Sequence, residues 1–332
     1  MHVAILYNEP RAGTEAADQD VIVQRDCIFE ALKSLGHKPM TLGCTLNLAS
    51  LRRHLRSMEV DCVFNLVESL GGTDRLQPLV PLLLDAMHIP YTGSSGSAML
   101  AAADKVVVKR RLRQLGLATP DWVTGGIGQK QKEQVSAGTF IVKARFEHAS
   151  VGMDDSSVMT MDNAACLQAE IARRSEASGH AMFAERFIEG REFNIAILAV
   201  DGEPVVLAPA EIDFSAFPAD KPQIVGYDAK WSEQSFEFNA TPRSFSFPAS
   251  DSSLLEKLSL IAKTTWSAFG LGGYARVDFR VDHAGDPFIL EINTNPCLSP
   301  DAGFAAALTA SDYSYEAAIE HMLRDALLAN EL

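Results

Sequence analysis

Apolar side chains along this chain fall into two kinds of run. Residues 3–7 and 62–67 are short and nearly unbroken in apolar character, the pattern of strands buried on both faces. Residues 21–35 instead place Ile22, Ile28, Phe29 and Leu32 at helical spacing and stop at Gly36, and residues 76–87 read as a second helix. Strand, helix, strand, helix predicts a parallel sheet covered on both faces, an α/β unit that closes near Pro90-Tyr91-Thr92-Gly93.

Further along, residues 104–116 predict a helix with Asp104 as its N-cap, cationic residues late and Gly116 at its end. Residues 124–138 are polar and glycine-rich, as surface segments are. Strands are predicted at 140–143, 182–188 and 193–200, and helices at 162–178, 252–269 and 313–328. A strand pair is predicted on either side of Asp282-His283-Ala284-Gly285-Asp286. Residues 213–250 are rich in Phe, Pro and Ser with no clear period, and a long irregular stretch in a compact chain is often functional.

Composition narrows the function. The chain has 332 residues, enough for two or three domains, with 47% apolar and 22% charged residues, as in a soluble globular protein. Acidic residues outnumber basic ones by 43 to 29, a formal charge of −14, and the densest cationic stretch is Lys109-Arg110-Arg111-Leu112-Arg113. Nucleic acid is therefore disfavoured as a partner, because neutralising phosphates needs a basic footprint. No stretch has the length and apolarity of a membrane span, and residues 1–7 lack a cationic leader. The 5 cysteines are widely spaced, with no C-x-x-C and no zinc spacing, so reduced thiols in a cytoplasmic protein are expected. There is no P-loop, Gly125-Gly126-Ile127-Gly128 lies in the polar segment, and Gly93-Ser94-Ser95-Gly96 misses the nucleophile-elbow spacing.

The strongest chemistry lies in the strand pair. Arg276-Val277-Asp278-Phe279 and Glu291-Ile292-Asn293 alternate polar and apolar residues, the period of a strand with one buried face. A turn centred between Ala284 and Gly285 opposes Asp278 to Glu291 and Arg276 to Asn293, with all four side chains on one sheet face. Opposed Cβ atoms lie about 4.5–5.5 Å apart. Two carboxylates that close repel unless something cationic sits between them. Asp278, Glu291 and Asn293 offer only oxygen, which suits Mg²⁺, and Arg276 adds a fixed charge able to stabilise a developing oxyanion. The bland alternative is an exposed, salt-bridged hairpin.

Other motifs stand in a telling order: Pro90-Tyr91-Thr92-Gly93-Ser94, Asp104-Lys105, Val142-Lys143 through Ser150-Val151-Gly152, Glu185 to Phe193, Arg276-Val277-Asp278, and Glu291-Ile292-Asn293-Thr294-Asn295-Pro296. In that order they resemble the ATP-grasp ligases and, within them, the D-alanine–D-alanine ligase family, over nearly the whole chain. The resemblance implies an N-terminal parallel-sheet domain (1–103), a small central α+β domain (104–184) and a C-terminal antiparallel-sheet catalytic domain (185–332), with ATP between the last two. It implies that Lys105 and Lys143 contact ATP phosphates and that Ser150-Val151-Gly152 folds over them. Glu185 and the backbone of Ile188 would hold the adenine edge, and Glu192 the ribose. Lys230 looks like a mobile-loop lysine that reaches the transferred phosphate, Arg276 would stabilise the tetrahedral oxyanion, and Asp278, Glu291 and Asn293 would hold one or two Mg²⁺ ions, for which Mn²⁺ can substitute. A homodimer is also implied.

The acceptor half departs from the family pattern. Ala149 stands where the phosphate loop has its first serine, and Trp231 where a tyrosine follows the mobile-loop lysine. Glu68-Ser69-Leu70-Gly71-Gly72-Thr73-Asp74 has no histidine where the family has one, Cys297 replaces a glycine, and the family's N-terminal glutamate has only rough equivalents near Gln19-Asp20. Glu68 is the candidate partner for a substrate amine. Cys297 is a candidate acceptor contact, against the reading of a buried inert thiol, and His148 is a candidate near the phosphates, against a solvated loop histidine. The expectation is an ATP-dependent carboxylate–amine ligase for amino acids or related small acids, diverged from D-alanine–D-alanine ligase. A true D-alanine–D-alanine ligase and a non-catalytic ATP-binding regulator remain the alternatives.

Overall fold

The computed structural model describes residues 1–9, 16–125, 136–147 and 150–329; Gly126, Gly128, His148 and Ala149 lie outside the described residues. The first layer runs β1 (His2–Asn8), α1 (Ala16–Ser34), β2 (Lys38–Cys44), α2 (Leu48–Met58), β3 (Cys62–Leu66), α3 (Leu79–Met87), α4 (Gly96–Ala102) and α5 (Lys105–Gln114). Its strands form the parallel sheet β2-β1-β3, with Tyr91 bridging in parallel to Val63 beyond β3. The apolar pattern does not mark β2, because that strand lies at the sheet edge and only Cys44 at its end is buried. The helix expected over 76–87 is divided into a 3₁₀ turn, Asp74–Leu76, and α3, which starts after Pro78; proline lacks the N–H that a continuous helix would need there.

Next come β4 (Trp122–Thr124), β5 (Gly138–Ala144), β6 (Val158–Met161), α6 (Ala164–Ser178) and β7 (Met182–Arg186). They build an antiparallel sheet in the order β4-β7-β5-β6, backed by α6. The division expected at 184/185 falls inside β7. The remaining elements are β8 (Arg191–Val200), β9 (Glu203–Val206), β10 (Ala210–Ile212), α7 (Tyr227–Trp231), α8 (Phe236–Asn239), β11 (Arg243–Ser244), α9 (Ser252–Phe269), β12 (Tyr274–Val281), β13 (Pro287–Asn293), α10 (Gly303–Ala310) and α11 (Tyr315–Ala329). Their antiparallel sheet has the order β11-β10-β8-β12-β13, with β9 on β8. The irregular stretch 213–250 thus carries two short helices and a two-residue strand. No helix among the described residues is long and apolar enough to cross a membrane.

The β12–β13 hairpin has the expected pairing where it matters and a different one at its turn. Arg276 opposes Asn293 and Asp278 opposes Glu291, but the register then shifts, and Phe279 opposes Ile289. The turn is centred on Ala284, with the Asp282 carboxylate accepting the N–H groups of Ala284 and Asp286. One extra residue on β13 makes up the difference. Ile289 and Ile292 both enter the core against α9, so Leu290 and Glu291 between them share the opposite face. A β-bulge re-aims side chains in this way.

The layers share their cores. Val3, Ile5 and Phe64 of the parallel sheet pack with Leu198 and Tyr274 of the antiparallel sheet and with Ile319 and Met322 of α11. Helix α5 is likewise divided, with Val106 on Trp122 and Phe183, and Val108 and Leu112 in the core beneath α9. Where β12 begins, Gly273 adopts φ +63°, and a Cβ there would sit 2.6 Å from the Gly93 nitrogen, so glycine is required by both torsion and space. The Tyr274 hydroxyl, fully buried, donates to Asn295 Oδ1 at 2.6 Å, and Asn295 Nδ2 donates to the Val67 carbonyl at 3.3 Å, bridging the sheets. Tyr274→Phe is expected to lower stability by about 1–2 kcal/mol in chemical denaturation, by leaving a buried amide oxygen without its donor. An unchanged midpoint would show that the bridge contributes nothing.

Candidate active site

The polar face of the hairpin is organised around Asp278, which is buried. Arg276, two residues away on the same face, grips it through Nε (2.7 Å) and Nη2 (2.8 Å), and Asn194 of β8 donates to the same carboxylate at 2.9 Å. Burial lowers the Arg276 pKa, but Asp278 and Glu291 outweigh it, so the net shift is upward and the guanidinium stays charged. Its Nη1 edge lies outside the fork to Asp278. Asn293 Oδ1 accepts from the Asn295 N–H at 2.9 Å. Lys105 Nζ lies 3.4 Å from Glu291. Arg276, Asp278, Glu291 and Asn293 therefore share one face, as the alternation requires.

Three lysines reach this face from other elements. Lys105 starts α5, behind the Asp104 cap, and is itself buried. Lys143 ends β5, and its Nζ is 2.6 Å from Glu185. Burial pulls the Lys143 ammonium down, but Glu185, Glu291 and Glu192 outweigh it and raise its pKa. Lys230 sits on α7; burial lowers its pKa against the pull of Glu291, Asp278 and Glu192. The long irregular segment thus delivers a cation to the site.

Glu185 is the buried centre of a chain of charges. Lys109 lies 2.5 Å from one carboxylate oxygen and Lys143 lies 2.6 Å from the other. Burial pushes the carboxyl up, yet the two ammonium groups hold it below its ordinary range. Its side chain is thus engaged with two lysines, and Glu185 also lines the cleft beside them. Lys109 is fully buried, donates to Thr119 Oγ1 at 2.8 Å, and is lowered by burial despite Glu185. Sequence reasoning saw Lys109 only as part of a basic run; its i+4 spacing from Lys105, on the same helix face, was the available signal.

Beside this chain of charges, between β5, β7 and β13, lies a small open cleft. Its apolar walls include Ile141, Ile188 and the bulged Leu290, and its polar rim includes Lys143, Glu192 and Arg280. Arg280 fixes the strand connection by donating to the carbonyls of Ile188 (3.0 Å) and Gln223 (2.7 Å), and lies 3.5 Å from Glu192. Burial raises the Glu192 pKa, and Arg280 and Lys143 oppose that in part. Above the cleft, Ser150 takes φ +57° and donates to the Val225 carbonyl at 3.0 Å, and the Tyr227 N–H donates to the Met153 carbonyl at 2.9 Å. The segment after Ser150 is thereby tied to the approach to α7.

A second cluster gathers Glu68, Cys297 and three residues that sequence reasoning missed or placed only roughly. Gln24 Nε2 bridges Asp20 (3.2 Å) and Glu68 (3.1 Å). Asp20 also accepts from Cys297 Sγ (2.9 Å) and Ser299 Oγ (2.7 Å). Burial, then Asp20 and Glu68, push the Cys297 thiol well above its ordinary range, so it serves as a protonated donor. Asp20 and Gln24 lie four residues apart on α1, a spacing whose polarity was the available signal among the apolar positions.

Known proteins are similar to this chain over most of its length. The family model of the D-ala D-ala ligase C-terminus matches residues 112–324. The chain is 30% identical to the uncharacterised protein y4sG of Sinorhizobium fredii, over 90% of this chain and 85% of that one. It is 28% identical to a D-alanine–D-alanine ligase of a Synechococcus strain, over 97% and 93% of the two chains. The D-alanine–D-alanine ligase of Bacillus anthracis, solved in complex with ATP, shares the fold with a TM-score of 0.74 at 18% identity, covering 100% of this chain and 99% of that one. The chain therefore belongs to the D-Ala-D-Ala ligase family, ATP-dependent ligases of the ATP-grasp fold that form carbon–nitrogen bonds.

Proposed function

We propose that this protein joins a carboxylate to an amine at the expense of ATP, with amino acids or related small acids as substrates. The observation that carries the reading is the convergence of Arg276, Lys105, Lys143 and Lys230 on the face of Asp278 and Glu291, beside an apolar cleft. Such a cleft suits a nucleobase, and the lysines suit its phosphates. Lys105, Lys143 and Lys230 hold the triphosphate so that its γ-phosphorus faces the substrate carboxylate. A carboxylate oxygen forms the new P–O bond, the bond to the β-phosphate oxygen breaks, and ADP leaves. The amine then attacks the acyl carbon of the acyl phosphate. Arg276 offers Nη1 to the tetrahedral oxygen, the C–O bond to phosphate breaks, and the amine proton passes to solvent. Catalysis of this kind rests on positioning and electrostatics.

The hairpin fits a divalent cation. Among the described residues no three His, Cys, Asp or Glu side chains gather as a metal site. Two opposed carboxylates and an amide oxygen instead suit Mg²⁺, which completes its shell with water and substrate phosphate. Asp278, Glu291 and Asn293 would hold it, and it would neutralise charge building on the transferred phosphoryl group.

The cluster of Asp20, Gln24, Glu68, Cys297 and Ser299 supports a substrate pair other than D-alanine. A second reading, ligation of two D-alanines, is favoured by the names of relatives that cover almost the whole chain. Phosphate release from Mg·ATP, screened against L- and D-amino acids and related small acids singly and in pairs, separates them. Release with D-alanine alone selects the second reading, and release with another pair selects the first. Release that needs no added substrate, or none with any amino acid or related small acid while ATP binds, would sink both and favour a regulator. In the productive assay, a chelator is expected to abolish turnover and Mn²⁺ to restore it. Lys143→Met is expected to raise the KM for ATP at least tenfold, and an unaltered KM would remove Lys143 from the phosphate site.

A further inference from the structure

Glu147 has no part in the mechanism above, yet it joins three layers. Its side chain is 8% exposed. Its carboxylate accepts the Thr73 hydroxyl at 2.9 Å and the Asp74 N–H at 3.2 Å, and His180 Nδ1 lies 3.5 Å away. Its carbonyl accepts Lys105 Nζ at 2.6 Å, and that same Nζ is 3.4 Å from Glu291. The neighbouring residues repeat the pattern. The Phe146 ring lies between Arg75 at 4.8 Å and Arg145 at 5.3 Å. Arg145 grips Asp104, the cap of α5, at 2.7 and 2.6 Å, and its carbonyl accepts the Lys105 N–H at 3.2 Å. Both ends of Lys105 are therefore held by residues 145–147, and residues 145–147 are held by residues 73–75.

We propose that Glu147 is a positioning residue, which sets Lys105 Nζ beside Glu291 and makes that placement depend on Thr73 in the first layer. The proposal rests on the reading that Lys105 serves the ATP phosphates. Thr73 lies five residues after Glu68 on the same connection, so the segment that carries the candidate amine partner also carries the donor that holds Glu147. A buried carboxylate that accepts from a hydroxyl and a backbone N–H is sensitive to the loss of either donor. The effect should appear at the nucleotide, although Thr73 is not among the residues lining the cleft.

The test is titration of the full-length protein with a fluorescent ATP analogue and Mg²⁺, alongside thermal melting. Thr73→Val and Glu147→Gln are each expected to weaken binding about tenfold. Thr73→Ser, which keeps the hydroxyl, should bind within about twofold of the parent at the same melting temperature. The double variant Thr73→Val/Glu147→Gln should be no weaker than the weaker single variant, because both remove one interaction. Should Glu147→Gln fail to fold, the Thr73 pair decides alone. Parent-like binding by Thr73→Val, while Lys143→Met is weakened, would overturn this proposal and leave the functional reading standing. Absence of binding by the parent protein would overturn both.

Discussion

Two carboxylates forced face to face constrain everything around them. Hairpin register leaves Asp278 and Glu291 no choice but to be neighbours on adjacent strands. In a chain of formal charge −14, the cations that make this tolerable cannot come from a general basic surface. They are brought in one at a time: Arg276 from the same strand, Lys105 from a helix start, Lys143 from the end of another sheet and Lys230 from a short helix in an irregular segment. Each layer is placed so that its cation arrives. The site is thus a meeting point of sheets rather than a property of any one of them.

Glu185 shows how such a cation is kept in place. An ammonium at the end of an apolar strand is costly to bury unless an anion meets it. Glu185 meets Lys143, but its second oxygen would then face the interior without a counter-charge. Lys109 supplies one, anchored through Thr119 to the Ile289 carbonyl of β13. Breaking one member of a buried set of this kind costs about 3–5 kcal/mol. The cleft and the hairpin are in this way tied through Glu185, Lys109 and Thr119.

What the sequence made legible follows from period. Alternation in residues 276–279 and 291–293 told which side chains share a face, and that required no knowledge of the rest of the fold. The strand at 62–66 and the helix at 252–269 were legible because their apolar runs are long or strongly periodic. The bulge at Leu290 was not, since a supposed turn centre half a residue away compensates for it and leaves the functional pairing intact. Lys109 was hidden because a buried cation looks, in sequence, like a solvated one. Gln24 and Ser299 were hidden because their partners lie 44 and 279 residues away. The helix at 227–231 carries no period of its own and exists where the segment after Ser150 holds its approach.

The shared core has a consequence for the birth of the protein. Val3 and Ile5 complete their packing against Ile319 and Met322, near the other end of the chain. During synthesis the parallel sheet can pair its strands and gain α1 early, but the core on that face is completed only when α11 has emerged. Contacts of such long sequence separation form late and slowly. Until then part of the apolar surface of the first layer lacks its final cover, and such surface is where partly made chains associate.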